Sequence, residues 1–112
     1  MRFFVSAVMA AFASACTTAG PEQAETLDPQ VAEGRFLVQV HCSECHAWRT
    51  EDKSKHPEAP ALRTLSQRYP VSSLGEALAE GIVVGHPDMP EFRFRPEDVA
   101  AIIAYLEHIQ DQ

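Results

Sequence analysis

The chain has 112 residues, 46% hydrophobic and 22% charged, with three cysteines and a formal net charge of −7 at pH 7. Its length favours a single domain. The acidity is terminal: residues 35–95 carry eight Lys/Arg against eight Asp/Glu, whereas residues 16–34 and 96–112 each carry four acids and no base. With no basic stripe, the composition excludes a nucleic-acid surface and points to partner docking with only moderate salt dependence.

Residues 1–15 read as an export signal. Arg2 is a minimal basic start, a short apolar run follows, and Ala13-Ser14-Ala15 supplies the small residues of a cleavage site. The run is shorter than the ~20 apolar residues that span a bilayer. An apolar helix kept in the mature protein is the rival reading. Cys16 comes next, and Ala-Ser-Ala-Cys resembles a lipobox, with Ala13 where leucine is usual. Cleavage there would leave Cys16 to carry lipid; ordinary cleavage after Ala15 or Ala19 is the alternative. Residues 16–28 are polar and read as a flexible linker, leaving residues 29–112 as the domain. A tether of about 12 residues reaches roughly 20 Å.

Asp28-Pro29 predicts a helix start, with Asp28 as N-cap and Pro29 in the first turn. Val31, Phe36, Leu37 and Val40 give that helix an apolar side. Gly34 lies inside it at a cost of ~1 kcal/mol relative to alanine, which a close crossing by another helix would explain. Trp48 to Pro60 is polar and reads as a loop. Ala61 to Tyr69 is a short helix stopped by Pro70. Ser73 to Gly81 is another, with Ser73 and Glu76 spaced as a capping box and Gly81 at its end. Val83 to Phe94 holds two prolines within four residues and cannot be helical. Pro96, Glu97 and Asp98 start the last helix. Its stripe is Val99, Ile102, Ile103, Leu106 and Ile109, with Tyr105 beside it. No strand pattern and no internal repeat is present, so the fold class is all-α.

Cys42, Cys45 and His46 form Cys-x-x-Cys-His, the attachment motif of c-type haem. At i and i+3 both thiols face one way, toward the two vinyl groups of one porphyrin, and the next residue, ~100° further round, offers an imidazole to iron. A disulfide between the two cysteines would close too small a loop to stabilise much. A zinc site built from Cys42, Cys45, His41 or His46, and His56 is one competitor. A thioredoxin-like dithiol, which wants a βαβ setting, and a motif with no cofactor are others. Met89 is the one methionine after the signal. It sits 43 residues after His46 in the proline-braced loop, placed to be the second axial ligand; His86 is the alternative. A haem also enlarges the limited core of so short a domain. Phe36, Leu37, Leu62, Leu65, Leu74, Leu78, Ile82, Phe92, Phe94 and Leu106 are candidate contacts.

With the terminal helices, Cys-x-x-Cys-His and Met89-Pro90, residues 30–110 resemble the small monohaem class I cytochromes c of exported bacterial type. The resemblance implies about four short helices around one covalently bound haem c, with the N- and C-terminal helices crossing. It places Gly34 and Phe36 at that crossing, near Tyr105. It makes Pro60 the residue whose carbonyl accepts the N–H of the iron-bound His46, although the pair here is Ala59-Pro60 where Gly-Pro is common. Phe92 is expected to pack on the haem, and Trp48 to cover the loop in preference to the haem edge. The function implied is one-electron transfer with His46 and Met89 as axial ligands and no catalytic residues. Partners are redox proteins docking transiently near an exposed haem edge. The alternative is a haem-bearing subunit of a redox enzyme, or a small haem enzyme; Glu44, His41 and His56 read as solvated, not catalytic. Signal and haem attachment together predict a periplasmic protein, either soluble or held to the membrane by lipid on Cys16.

Overall fold

The computed structural model describes residues 26–81 and 87–110. The export signal of residues 1–15, Cys16, most of the 16–28 linker, Ile82 and His86 lie outside the described residues. Three α-helices form: α1 (Pro29–Cys42), α2 (Leu74–Glu80) and α3 (Pro96–His108). Two short 3-10 segments, Leu62–Gln67 and Val71–Ser73, precede α2, and no strand occurs among the described residues. None of the described helices is long and apolar enough to cross a membrane.

Helix α1 begins where Asp28 accepts the Gln30 N–H on its side chain, at 2.9 Å, with Pro29 filling a position that needs no donor. It packs against α3. At the crossing, a Cβ on Gly34 would overlap the Ala101 carbonyl and come within 2.8 Å of the Tyr105 Cβ. The glycine is therefore the contact itself, two backbones meeting where no side chain fits.

The buried face of α1 differs from the sequence expectation. Gly34 and Val38 are its buried residues, while Phe36 and Val40 are 58% and 53% exposed. At 100° per residue, positions 36 and 40 lie about 200° round the helix from 34 and 38. Once Gly34 faces α3, Phe36 must face outward. Val38, not Phe36, is the side chain that fills the core one turn after the glycine.

Helix α3 follows its expected stripe, with Ala101 and Tyr105 added to the buried face. Tyr105 lies within that face, and its hydroxyl donates to the Trp48 carbonyl at 2.7 Å. Arg95 precedes the helix and grips Asp98 with two hydrogen bonds of 2.9 and 3.0 Å. At the other end, Gln110 donates to the carbonyls of Leu62 (2.8 Å) and Leu106 (2.6 Å) and accepts from the Ser66 N–H (2.9 Å). One side chain thus ties the 3-10 segment to the end of α3.

The capping box at Ser73 does not form. The Val71–Ser73 turn runs directly into α2, so Ser73 is already helical, at φ −68° and ψ −13°. Its hydroxyl bonds back to the Pro70 carbonyl at 2.6 Å and is not aimed at the amides of the next turn. Gly81 ends α2 in the left-handed region at φ 70°, a conformation glycine adopts without strain. The incoming segment to α3 is pinned to α2 by the Phe94 N–H, which donates to the Leu78 carbonyl at 2.9 Å.

Two predictions follow from these contacts. Gly34→Ala should lower unfolding free energy by about 2 kcal/mol or more, because backbone cannot yield as a flexible side chain does; denaturant titration of the holoprotein checks this. Tyr105→Phe leaves the Trp48 carbonyl unpaired in the interior and should cost about 1–2 kcal/mol by the same measurement.

Candidate haem-attachment site

The site is built on the C-terminal end of α1. Cys42 is the last helical residue, and the N–H groups of Cys45 and His46 both return to its carbonyl, at 3.2 and 2.9 Å. This tight turn leaves Cys42, Cys45 and His46 half-buried along one edge. The two thiols are free, with no disulfide between them. Burial, and the neighbouring Cys45, push the Cys42 thiol up to about 11. A redox-active Cys-x-x-Cys has the opposite property, a lowered pKa that supplies thiolate at neutral pH. No strand occurs among the described residues, so the βαβ setting that a thioredoxin-like dithiol wants is absent there.

The polar stretch after the motif is a scaffold. Ala47 is fully buried; its N–H donates to the Ser54 hydroxyl (2.9 Å) and its carbonyl accepts from the Leu62 N–H (2.8 Å). Asp52 receives the N–H groups of Trp48 (3.2 Å) and Arg49 (3.0 Å) on its two carboxylate oxygens. Arg63 donates to the carbonyls of Arg49 and Asp52 at 3.2 and 3.0 Å. Trp48 is buried in the core with Leu62, Leu65 and Tyr105, and the Arg49 guanidinium lies 4.6 Å from the centre of its ring. The tryptophan therefore anchors the loop from beneath.

This scaffold brings Pro60 back to the motif. The His46 Nδ1 lies 2.8 Å from the Pro60 carbonyl. A carbonyl only accepts, so Nδ1 carries the hydrogen and Nε2 is left with its lone pair. That is the tautomer a metal ligand needs. His56 also joins the motif: its N–H donates to the Cys45 carbonyl at 3.1 Å.

Met89 is half-buried in the turn following Pro87. The preceding Asp88 is bonded to His56, Nε2 to Oδ2 at 3.2 Å. Phe92 stacks on Phe94 with ring centres 5.2 Å apart, and both meet the edge of His41, at 6.1 and 5.0 Å. His41, read from sequence as solvated, is thus exposed but set against two aromatic rings. Sequence reasoning also missed Asp52, Ser54 and Asp88. The Asp52-x-Ser54 pair four to six residues after Trp48 was the available signal, because both residue types cap loop amides. Among the described residues no three His, Cys, Asp or Glu side chains converge as metal donors. His56 lies on Asp88 and not beside Cys42 and Cys45, so the four-ligand zinc arrangement is not assembled among the described residues.

Residues 31–110 match the family model for cytochrome c, and the chain belongs to that family. It is a small class I cytochrome c of all-α fold, a haem-binding electron-transfer protein whose cofactor is haem c, covalently attached and containing iron. Searches for similar curated proteins and for similar solved structures gave no match. The donor set fits that cofactor: two unpaired thiols one turn apart and, beside them, an imidazole whose Nδ1 is taken by the Pro60 carbonyl, leaving Nε2 as the ligand atom.

If Cys42 and Cys45 carry the two thioether links, replacing both with alanine abolishes covalent attachment. Haem staining of a denaturing gel should then vanish for the double variant and persist, weakened, for each single one.

Proposed function

We propose that the chain is a one-electron carrier, with His46 and Met89 as the axial ligands of its haem iron. The observation that supports this most directly is the 2.8 Å bond from His46 Nδ1 to the Pro60 carbonyl, because in the neutral ring it leaves the other nitrogen with a lone pair for a metal. Bound haem supplies an iron couple that takes up and releases one electron. The protein's part is to hold the ligands still. The Pro60 carbonyl fixes the plane of the His46 ring and raises its basicity. Pro87 and Pro90 stiffen the turn that carries Met89. A thioether ligand favours the reduced metal and raises the potential. With both axial positions filled from the chain, no substrate reaches the metal without displacing a ligand, which suits a carrier and not an enzyme.

Partners in this reading are redox proteins that dock transiently near an exposed haem edge, through a small interface. The balanced charge of residues 35–95 supports a rate of electron exchange that falls only moderately between low and physiological salt. The apolar run ending at Ala15 and the thioether chemistry both support a periplasmic location, either soluble or held to the membrane by lipid on Cys16; a wild-type protein in the membrane fraction that Cys16→Ser moves to the soluble fraction marks the tethered form.

An optical redox titration of the mature protein should give a single reversible one-electron transition, with the sulfur-to-iron charge-transfer band in the ferric spectrum. Met89→Ala should keep the haem attached, abolish that band, lower the midpoint potential and admit exogenous ligands. A ferric spectrum unchanged by Met89→Ala rules the thioether out as ligand.

A further inference from the structure

We propose that His56 is a positioning residue that clamps the Met89 turn to the segment orienting His46. The proposal rests on the reading of His46 and Met89 as the two axial ligands and assigns the part that couples them.

Residues 56–60, His-Pro-Glu-Ala-Pro, carry three bonds to distant parts of the chain. The His56 N–H donates to the Cys45 carbonyl at 3.1 Å. The Pro60 carbonyl accepts from His46 Nδ1 at 2.8 Å. His56 Nε2 meets Asp88 Oδ2 at 3.2 Å, across 32 residues of sequence. The first two fasten the segment to the attachment motif. The third fastens it to the residue immediately before Met89.

The imidazole is set for this role. The Glu58 N–H donates to His56 Nδ1 at 3.2 Å, so Nδ1 presents a lone pair and the neutral ring carries its hydrogen on Nε2. That N–H points at a carboxylate, and the bond forms without any charge on the ring. The backbone that carries the ring is also held, because the Ala59 N–H closes a turn onto the His56 carbonyl at 3.2 Å. The His56 side chain is 27% exposed and that of Asp88 68%, so the better-buried ring is the fixed end and the Met89 turn is the end being held. Prolines at 87 and 90 restrict that turn, so a bond at Asp88 bears on the position of the residue beside it.

The clamp acts on the balance between the closed turn and a turn swung away from the haem. A partly exposed charged hydrogen bond of this kind shifts such a balance by about two- to fivefold. Imidazole binding to the ferric holoprotein reads it, since entry requires the turn to leave. His56→Ala and Asp88→Ala should each speed imidazole association by about two- to fivefold. The double variant should be no faster than either single one, and His56→Gln, which keeps an N–H donor at similar reach, should stay near the wild-type rate. Asp88 is exposed, so its substitution carries the test even where His56→Ala folds poorly. Wild-type protein lacking the sulfur-to-iron band would overturn the ligand reading beneath the proposal. Wild-type protein that has the band, together with single-variant rates equal to its own or effects that multiply in the double variant, would overturn the clamp alone.

Discussion

The bond between His46 and the Pro60 carbonyl is the constraint around which the rest of the site is arranged. An imidazole at the end of a helix can rotate and can carry its hydrogen on either nitrogen. One acceptor at 2.8 Å from Nδ1 removes both freedoms. The acceptor must itself be fixed, and the thirteen residues between have little apolar material to fix it with. Polar groups do the work instead: Asp52 and Ser54 receive the amides at the start of the loop, and Arg63 reaches back to its carbonyls. Each such bond contributes only about 1 kcal/mol net. Their value is that several close on the same short stretch, so none can relax alone.

That loop in turn stands on the helix crossing. Cys42 is the last residue of α1, so the position of its thiol depends on where α1 lies. Where α1 lies is set at Gly34, whose backbone rests on the Ala101 carbonyl of α3. The same face of α3 sends the Tyr105 hydroxyl to the Trp48 carbonyl, just past the motif. Helix α3 therefore positions both sides of Cys-x-x-Cys-His, one through backbone contact and one through a buried hydrogen bond. A change at Gly34, two helical turns from Cys42, would be felt as a displaced thiol.

These couplings explain which parts of the molecule were legible in the sequence. The helix limits were, because Asp28, Pro29, Gly81 and Pro96 act within a few residues of themselves. The chemistry of Cys42, Cys45 and His46 was, because their spacing is local too. The inner face of α1 was misread through Phe36 and Val40, since apolarity was weighed and the glycine that decides the rotation of the helix has no side chain to weigh. Ser73 misled for a related reason: a capping pair requires a non-helical residue at the cap, and the turn from Val71 removes it. The polar stretch from Trp48 to Pro60 read only as a loop because its contacts, Ala47 with Ser54 and Arg63 with Asp52, become visible only once the chain has folded back. The pairing of His56 with Asp88 was beyond any local pattern.

A partly exposed hydrogen bond to a carboxylate contributes little to the stability of a fold, and His56 with Asp88 is no exception on that scale. Its leverage comes from what it competes with. Unfolding must break the whole core, so one weak bond changes that equilibrium by a small fraction. Release of a proline-stiffened turn is a local opening with a smaller free-energy difference than unfolding, so the same bond weighs more there. An electron carrier needs its ligands to stay in place in both oxidation states, which makes the closed population of that turn, and not the global stability, the quantity that matters. A modest bond between two loops thus acts where the free-energy difference is small enough for it to decide the outcome.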